Sequence, residues 1–219
     1  MIEGIVIRFN VVTLFPSSMD SYLKSSIISR AIKAKKIHVK IVDVFGILKK
    51  QFERPDDRPY GGGPGMVLRA EPLLKAVTKI TSKLKKPAKI IIFSPSGKQF
   101  DNQMAIKLAR EENIIMIAGR YEGVDARVKK VLKAEEISIG PYILTGGELP
   151  ALVVMDAVAR QIPGVLGKSE SLEESRVASP EVYTRPEVLI YQGKKYRVPK
   201  VLLSGNHQKI EEWRLSQKP

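Results

Sequence analysis

The stretch NIIMIAGRYEGVDARVKKVLK, residues 113–133, joins a β-branched apolar run to a helical pattern through a turn that contains two glycines. A buried strand followed by a helix is the repeating unit of a parallel sheet. Helical patterns also occur at 17–36 and 101–110. Three further apolar runs predict strands: GIVIRFNVVTLF at 4–15, IHVKIVDV at 37–44 and AKIIIF at 88–93. The chain is therefore predicted to be an α/β protein, with a mostly parallel sheet and helices on both faces.

The segment GELPALVVMDAVAR, residues 147–160, carries apolar residues on nearly every side. This pattern predicts a buried helix, which lies either in the core or in a subunit interface. Asp156 inside it then requires a polar partner, because an unpaired carboxylate is costly to bury. Arg160 closes the helix, where a cation is favourable for the helix dipole alone.

The segment GKSESLEESRVASPE, residues 167–181, is small, polar and locally acidic, and predicts a flexible linker. It separates a main domain, residues 1–166, from a short C-terminal domain, residues 182–219. The latter contains eight basic residues against three acidic ones and a helical pattern at 206–217. We therefore expect a small, basic, helical domain at the C-terminus.

Composition limits the partners and the chemistry. The net charge is +14, from 37 Lys and Arg against 23 Asp and Glu, and this excess attracts polyanions, nucleic acid first among them. Basic surfaces also occur in proteins that bind nothing anionic, so the charge indicates a partner but no site. The absence of cysteine excludes disulfides and Cys-ligated zinc. No signal peptide and no apolar run long enough to cross a bilayer is recognisable, so we expect a soluble, cytoplasmic protein.

Three glycine turns follow predicted strands or lie near them. We name them the first turn (FSPSGKQ, 93–99), the second turn (AGRYEGVD, 118–125) and the third turn (SIGPYILTGGELP, 138–150). Ligands of open parallel sheets bind at the carboxyl ends of the strands, where glycine lets the backbone approach them. One such turn alone can be a simple chain reversal, but the repetition predicts one shared pocket.

Two nucleotide-binding motifs are not matched. The first strand is followed by FPSSMD, without the Gly-x-Gly-x-x-Gly of dinucleotide-binding proteins. The segment IPGVLGKS at 162–169 ends as a phosphate loop does, but it has Ile162 at the first glycine position and follows a helix. An NTPase is therefore disfavoured.

The glycine loop, DDRPYGGGPG at residues 56–65, holds four glycines in five positions. Exposed backbone N–H groups would suit an anion, but the Gly-Lys-Ser/Thr ending of a phosphate loop is missing. The loop also follows the second predicted strand, apart from the three turns. We therefore expect that it does not hold the cofactor.

Six motifs in register, from DDRPYGGGPGMV through the three turns and DAVARQIPGVLG to YTRPEVL…VLLSGNH…WRL, resemble the bacterial tRNA (guanine-N1)-methyltransferases of the SPOUT class, the TrmD family. The resemblance covers nearly the whole chain. It implies a homodimer with a deep trefoil knot in its α/β domain and an active site at the subunit interface. It also implies S-adenosylmethionine-dependent methylation of N1 of the guanosine at tRNA position 37, next to the anticodon, which maintains the reading frame.

The resemblance also assigns the cofactor site. Glu122 further matches a residue near a magnesium ion that the family is reported to use. Pro141 stands where the family usually has an aspartate, which removes a carboxylate and a backbone donor. The residues implied to bind S-adenosylmethionine are Ile92, Phe93, Ser94, Pro95, Gly119, Tyr121, Glu122, Ile139, Gly140, Pro141, Tyr142, Ile143, Leu144, Gly146, Gly147 and Pro150.

The reaction defines two further roles. A methyl group on a sulfonium is already electrophilic, so the enzyme must align it with the guanine and remove the N1 proton. Arg160 matches the family arginine that stabilises negative charge on guanine O6. The general base of the family is an aspartate followed by a serine. Glu174 is the nearest match to this aspartate, and Glu173 is the competing candidate for the same role.

The substrate-binding residues implied by the resemblance are Asp56, Arg58, Pro64, Gly65, Tyr183, Arg185 and His207. Pro64 and Gly65 would let main chain approach the acceptor guanine. The charged start of the glycine loop, Asp56 to Arg58, has an equally good alternative role in bracing the loop.

Two other functions compete with this interpretation. Another SPOUT RNA methyltransferase would share the cofactor turns but not the glycine loop or the YTRP segment. A basic ribosome-associated or RNA-chaperone protein would explain the charge, but it would not require three glycine turns and a carboxylate-bearing linker.

Overall fold

The computed structural model of the chain describes residues 6–48, 53–166 and 181–217. The chain divides into two compact units, residues 1–167 and 168–219. The predicted linker at 167–181, apart from Glu181, lies outside the described residues, and so do Glu173 and Glu174.

The strands confirm a parallel α/β fold. In chain order they are β1 (Ile7–Thr13), β2 (Ile37–Asp43), β3 (Asp56–Asp57), β4 (Val67–Leu68), β5 (Lys89–Gln99), β6 (Asn113–Ile117), β7 (Glu135–Ser138), β8 (Val188–Tyr191) and β9 (Lys194–Arg197). The main sheet has the order β2-β1-β6-β5-β7, and every pairing in it is parallel. Strand β7 was not predicted, because its sequence EEIS is short and half polar.

The helices of the first unit are α1 (Asp20–Leu23), α2 (Ser26–Lys33), α3 (Ala70–Thr81), α4 (Asn102–Leu108), α5 (Ala126–Leu132) and α6 (Glu148–Arg160). The helical pattern predicted at 17–36 contains two short helices, α1 and α2, and no continuous helix. Residues 16–19 form a 3₁₀ turn, and α1 and α2 are separated near Ser26, whose φ of +45° interrupts a right-handed helix. Helix α3 was missed because the glycine loop separates it from β2.

The main sheet is covered on both faces, as the sequence predicts. Strand β6 is buried along its whole length. Its side chains alternate between the two hydrophobic cores: Ile114 and Met116 pack with α2, α4 and α6, whereas Ile115 and Ile117 pack with α3 and α5. A central parallel strand has no polar face, and this explains its uninterrupted apolar sequence.

The second unit combines a hairpin with two helices. Strands β8 and β9 pair antiparallel through Gln192 and Gly193, both of which have positive φ. The two helices are α7 (Lys200–Leu203) and α8 (His207–Ser216), and α8 lies within the helical pattern predicted at 206–217. The hairpin was not part of the prediction of a helical domain.

Candidate active site

The three turns meet around one cavity of about 440 Å³. It lies where the carboxyl ends of β5, β6 and β7 reach the edge of the sheet, so the prediction of a shared pocket is confirmed. All but one of the residues expected to bind the cofactor line this cavity. The exception is Pro141, which is exposed and absent from the lining.

Close packing explains the glycines of the third turn. A Cβ on Gly147 would lie 2.6 Å from the Cα of Ala118, and one on Gly140 would lie 2.2 Å from the ring of Tyr142. The Gly147 amide donates a hydrogen bond to the carbonyl of Gly119 at 2.9 Å. The second and third turns are therefore in direct backbone contact, and no side chain fits between them.

An ion pair that the sequence analysis missed joins the second turn to α6. The guanidinium of Arg120 lies 2.9 Å from Glu148 Oε2, and the hydroxyl of Thr13 donates to Glu148 Oε1 at 2.6 Å. Glu148 is only 4% exposed, so this carboxylate requires both partners. Arg120 also lies over the ring of Phe15, 4.5 Å from its centroid. The start of α6 is thereby fixed to the cavity wall.

The second turn also carries backbone strain. Tyr121 has a φ of +58°, a left-handed conformation that a residue with a side chain rarely adopts, and Gly123 follows at +114°. The side chain of Tyr121 is half exposed and lines the cavity. Such conformations persist where the surroundings fix them; here Arg120 pairs with Gly146 of the third turn and Glu122 donates to the carbonyl of Met66, so both neighbours of Tyr121 are held.

The glycine loop lies next to the second turn, so its predicted separation from the three turns is wrong, although none of its residues, 56–65, is part of the described lining of the cavity. The amide of Glu122 donates to the carbonyl of Met66 at 3.0 Å. Leu68 donates to Gly123 at 2.9 Å, and Asp125 donates back to Leu68 at 3.0 Å. The chain leaves β2, passes through the loop and returns along β4 to the second turn. The end of the glycine loop therefore lies against a wall of the cavity.

The charged start of the glycine loop favours the bracing role. Asp56 is 7% exposed and accepts a hydrogen bond from Arg54 Nε at 3.1 Å. Strands β3 and β4 pair through Asp56 with Leu68 and Asp57 with Val67, which closes the base of the loop. Arg58 is exposed. The acids thus hold the loop, whereas the arginine faces outward.

Of the predicted catalytic residues, Arg160 lies in the part of the chain that the structure describes. Arg160 is the last residue of α6, about 18 Å along the helix axis from Glu148 at a rise of about 1.5 Å per residue. It is not part of the described lining of the cavity. Glu174 and its competitor Glu173 lie outside the described residues. Tyr183, Arg185 and His207 belong to the second unit and are exposed there.

The partner expected for Asp156 is present. The hydroxyl of Tyr22 donates to Asp156 Oδ2 at 2.6 Å. This hydrogen bond to a carboxylate, helped by partial burial and the negative charge, raises the pKa of Tyr22 to about 12. Asp156 therefore ties the middle of α6 to α1.

A magnesium site does not emerge from the described residues. Within them, no three His, Cys, Asp or Glu side chains come together, so we derive no step through a metal. Glu122 lines the cavity, and its carboxylate lies beside Gly65. No helix in the described ranges is long and apolar enough to cross a membrane.

Fold and cavity together define a parallel α/β protein whose glycine turns form a cofactor-sized site at the carboxyl ends of the strands. The family model for the tRNA (guanine-1)-methyltransferase TrmD matches residues 7–219, and the chain belongs to this family. Relatives named tRNA (guanine-N(1)-)-methyltransferase include those of Moorella thermoacetica and Clostridioides difficile. The former is 46% identical over 217 residues, 96% of this chain and 84% of the relative. The latter is 42% identical over 213 residues, 94% of this chain and 90% of the relative.

Proposed function

We propose that the protein transfers the methyl group of S-adenosylmethionine to N1 of the guanosine at position 37 of tRNA, next to the anticodon, and so maintains the reading frame. Membership of the family supports the reaction. The observation that carries the proposal is the single cavity of about 440 Å³ formed by the three turns. This volume lies within the range of about 300–1,000 Å³ typical of small-molecule sites.

The residues lining the cavity suit this cofactor. Gly140, Gly146 and Gly147 of the third turn line the cavity and carry no side chain of their own, so their backbone groups can approach an adenosine closely. Apolar side chains of Ile92, Ile139 and Leu144 lie beside them. The cofactor supplies the methyl group as an electrophile, already activated on a sulfonium.

The chain supplies the remaining chemistry. Arg160 places a cation near guanine O6, where negative charge grows as the N1 proton leaves. Glu174 accepts that proton as the general base. Glu173, its neighbour, is the competing candidate for the same role. Magnesium near Glu122, which the family resemblance implies, stays a prediction.

A homodimer would bring these parts together. In one chain, Arg160 lies at the far end of α6 from the cavity, so a second chain could supply that end of the helix. Apolar side chains support this arrangement: Leu149 and Val153 on α6 are 60% and 46% exposed, and Ile143 in the third turn is 87% exposed. Adjacent exposed apolar groups of this kind mark interaction surfaces.

The connectivity around β7 supports a trefoil knot. Ile137 pairs with both Phe93 and Lys98, so residues 94–97 of β5 form a loop beside β7. A Cβ on Gly97 would lie 2.7 Å from the backbone of Glu136 and Ile137. We propose that the chain beyond β7 passes through this loop, a rare exception to the rule that chains do not thread.

The second unit would contact tRNA as a basic domain, residues 182–219, behind a linker at 167–181. In this unit, Lys194, Lys195 and Arg197 on β9 are exposed, and so are Tyr191 and Tyr196. Cations bind phosphates and aromatic rings stack on unpaired bases. Because the protein would act on tRNA, we expect it to be located in the cytoplasm.

Methyl transfer to tRNA transcripts tests the proposal. Purified protein and labelled S-adenosylmethionine are incubated with two transcripts that differ only in guanosine or adenosine at position 37, and the modified base is mapped. We expect label only on N1 of the guanosine at position 37. Label on the adenosine transcript, or at another base, would refute the substrate assignment.

The assignment of Glu174 as the general base is tested by a matched pair of variants. Glu174→Gln should abolish methyl transfer and leave the dissociation constant of S-adenosylmethionine unchanged, because only the proton acceptor is lost. Glu173→Gln should stay active. The reverse result would assign the role to Glu173, and two active variants would exclude both.

A further inference from the structure

An open groove of about 1,480 Å³ lies on the α3 and α5 face of the main sheet. We name it the α3–α5 groove. It shares Asp125 and Ala126 with the lining of the cofactor cavity, so the two spaces are neighbours. Its polar and charged lining residues are Asp57, Arg58, Tyr60, Arg69, Glu71, Lys75, Thr78, Lys79, Ser82, Asp125 and Arg127.

The charges of this groove favour an anionic ligand. Its lining contains five cations against three carboxylates. The carboxylates are already occupied: Asp125 binds Arg127 at 2.6 Å, Glu71 binds Lys75 at 2.7 Å, and Asp57 accepts from the amide of Arg58 at 2.8 Å. The groove therefore presents a net positive charge with few free acceptors.

Two of the cations that line the groove are available to bind an anionic ligand. Lys79 and Arg58 are exposed, and neither forms an ion pair with any residue that the structure describes. Lys79 lies on α3 and Arg58 lies on the glycine loop, and both residues line the groove. A nucleic acid repeats its charge along the backbone, so cations from two different segments of one groove can contact different phosphates of the same strand.

An aromatic ring completes the groove. Tyr60 lines it and is 99% exposed, the largest exposure among the exposed large hydrophobic residues of the described chain. Leaving a whole phenol ring in water forgoes its burial energy, which a ring stacked on an unpaired base would recover. The loop that carries Tyr60 returns through Met66 to the second turn, so the ring belongs to the segment beside the cavity.

We propose that the α3–α5 groove binds the RNA that flanks the target base, with Lys79 and Arg58 on its phosphates and Tyr60 stacked on an unpaired base. The inference rests on the proposed function, because it takes the RNA substrate as given. It adds a path for the RNA, which would run from the cavity across α3 on the surface of the first unit. An acidic protein would also match the cations, but it would not need an exposed aromatic ring beside a base-modifying site.

The phosphate contact is tested by the salt dependence of tRNA binding. We expect Lys79→Ala to raise the dissociation constant of a tRNA transcript about three- to tenfold and to reduce the slope of log K against log salt by about one. The affinity for S-adenosylmethionine should not change. Lys107→Ala is the matched control, because Lys107 is exposed on α4, which packs on the opposite face of the sheet.

The stacking contact is tested separately. Tyr60→Ala should weaken tRNA binding about tenfold without changing the salt slope, because a ring carries no charge. Tyr60→Phe keeps the ring and should bind as the wild type does. Both variants should fold normally, since the side chain is exposed.

The results of these experiments distinguish a failure of the groove proposal from a failure of the proposed function. If wild-type protein methylates guanosine 37 while Lys79→Ala and Tyr60→Ala bind tRNA as Lys107→Ala does, the groove proposal is overturned and the function stands. That result would leave the groove to an acidic protein. If wild-type protein neither binds nor methylates tRNA, the proposed function itself has failed.

Discussion

The third turn and the glycine loop are both rich in glycine, but for opposite physical reasons. In the third turn, the position of a Cβ is already filled: Gly140, Gly146 and Gly147 would each place it within 2.6 Å of a neighbouring atom. In the glycine loop, Gly61, Gly62 and Gly63 meet nothing within 4 Å, but their φ values are +87°, +81° and +114°. The third turn uses glycine for space and positions 61–63 of the loop use it for backbone conformation, whereas Gly65 at the end of the loop needs it for both, with a φ of +82° and a Cβ position 2.6 Å from Glu122 Oε1.

This difference fits the role that we propose for each segment. The wall of a cavity proposed to hold a cofactor gains from backbone surfaces packed in fixed contact. We propose that the glycine loop receives a base lifted out of RNA, and such a loop gains from an open conformation that only glycine adopts without strain. Substitution by alanine distinguishes the two, because the added methyl group clashes in the first case and only strains the backbone in the second.

The largest effect is expected for Gly147→Ala. Its methyl group would meet the backbone of Ala118 and Gly119, which cannot rotate away, and overpacking of this kind costs about 2–3 kcal/mol. The third turn would move off the second turn. We expect a lower free energy of unfolding in urea and an affinity for S-adenosylmethionine reduced at least tenfold, a loss of about 1.4 kcal/mol. Unchanged stability and affinity would show that the two turns are not packed as described.

A smaller effect is expected for Glu148→Gln. The amide can still accept from Thr13, but Arg120 loses its counter-charge, and we expect a loss of about 1–2 kcal/mol of unfolding free energy. Glu71→Gln is the control, because the Glu71–Lys75 pair is exposed and surface pairs contribute little. Equal losses in the two variants would mean that the Arg120–Glu148 pair does not hold α6 to the cavity wall.

The smallest effect is expected for Gly62→Ala. No atom lies within 4 Å, so the cost is the left-handed conformation alone, about 1 kcal/mol. Chemical denaturation measures this loss, and calorimetry should find the affinity for S-adenosylmethionine unchanged. A loss of cofactor binding as large as that of Gly147→Ala would erase the distinction between the two segments.

The sequence predicted features that depend on local pattern. The apolar run of β6 and the glycine turns follow directly from burial on both faces and from backbone geometry. Helix α3 also had a local signal, since Leu73, Ala76, Val77 and Ile80 are buried at helical spacing. It was missed because the pattern follows a long loop instead of a strand.

Contacts between distant segments could not be predicted in this way. The Arg120–Glu148 pair joins two motifs that were each recognised only as glycine turns. The return of the glycine loop to the second turn depends on backbone hydrogen bonds of Met66 and Leu68, which do not depend on the type of side chain at these positions. Neither contact leaves a periodic trace in the sequence, so both required the structure.

The most direct test of the account is a calorimetric titration of S-adenosylmethionine into wild-type protein, Gly62→Ala and Gly147→Ala. A cavity built from packed glycine turns predicts saturable heat for the wild type and for Gly62→Ala with the same dissociation constant. It predicts at least tenfold weaker binding for Gly147→Ala, about 1.4 kcal/mol, in protein that still unfolds cooperatively. No heat with the wild type, or equal binding by all three proteins, would contradict the assignment of this cavity to the methyl donor.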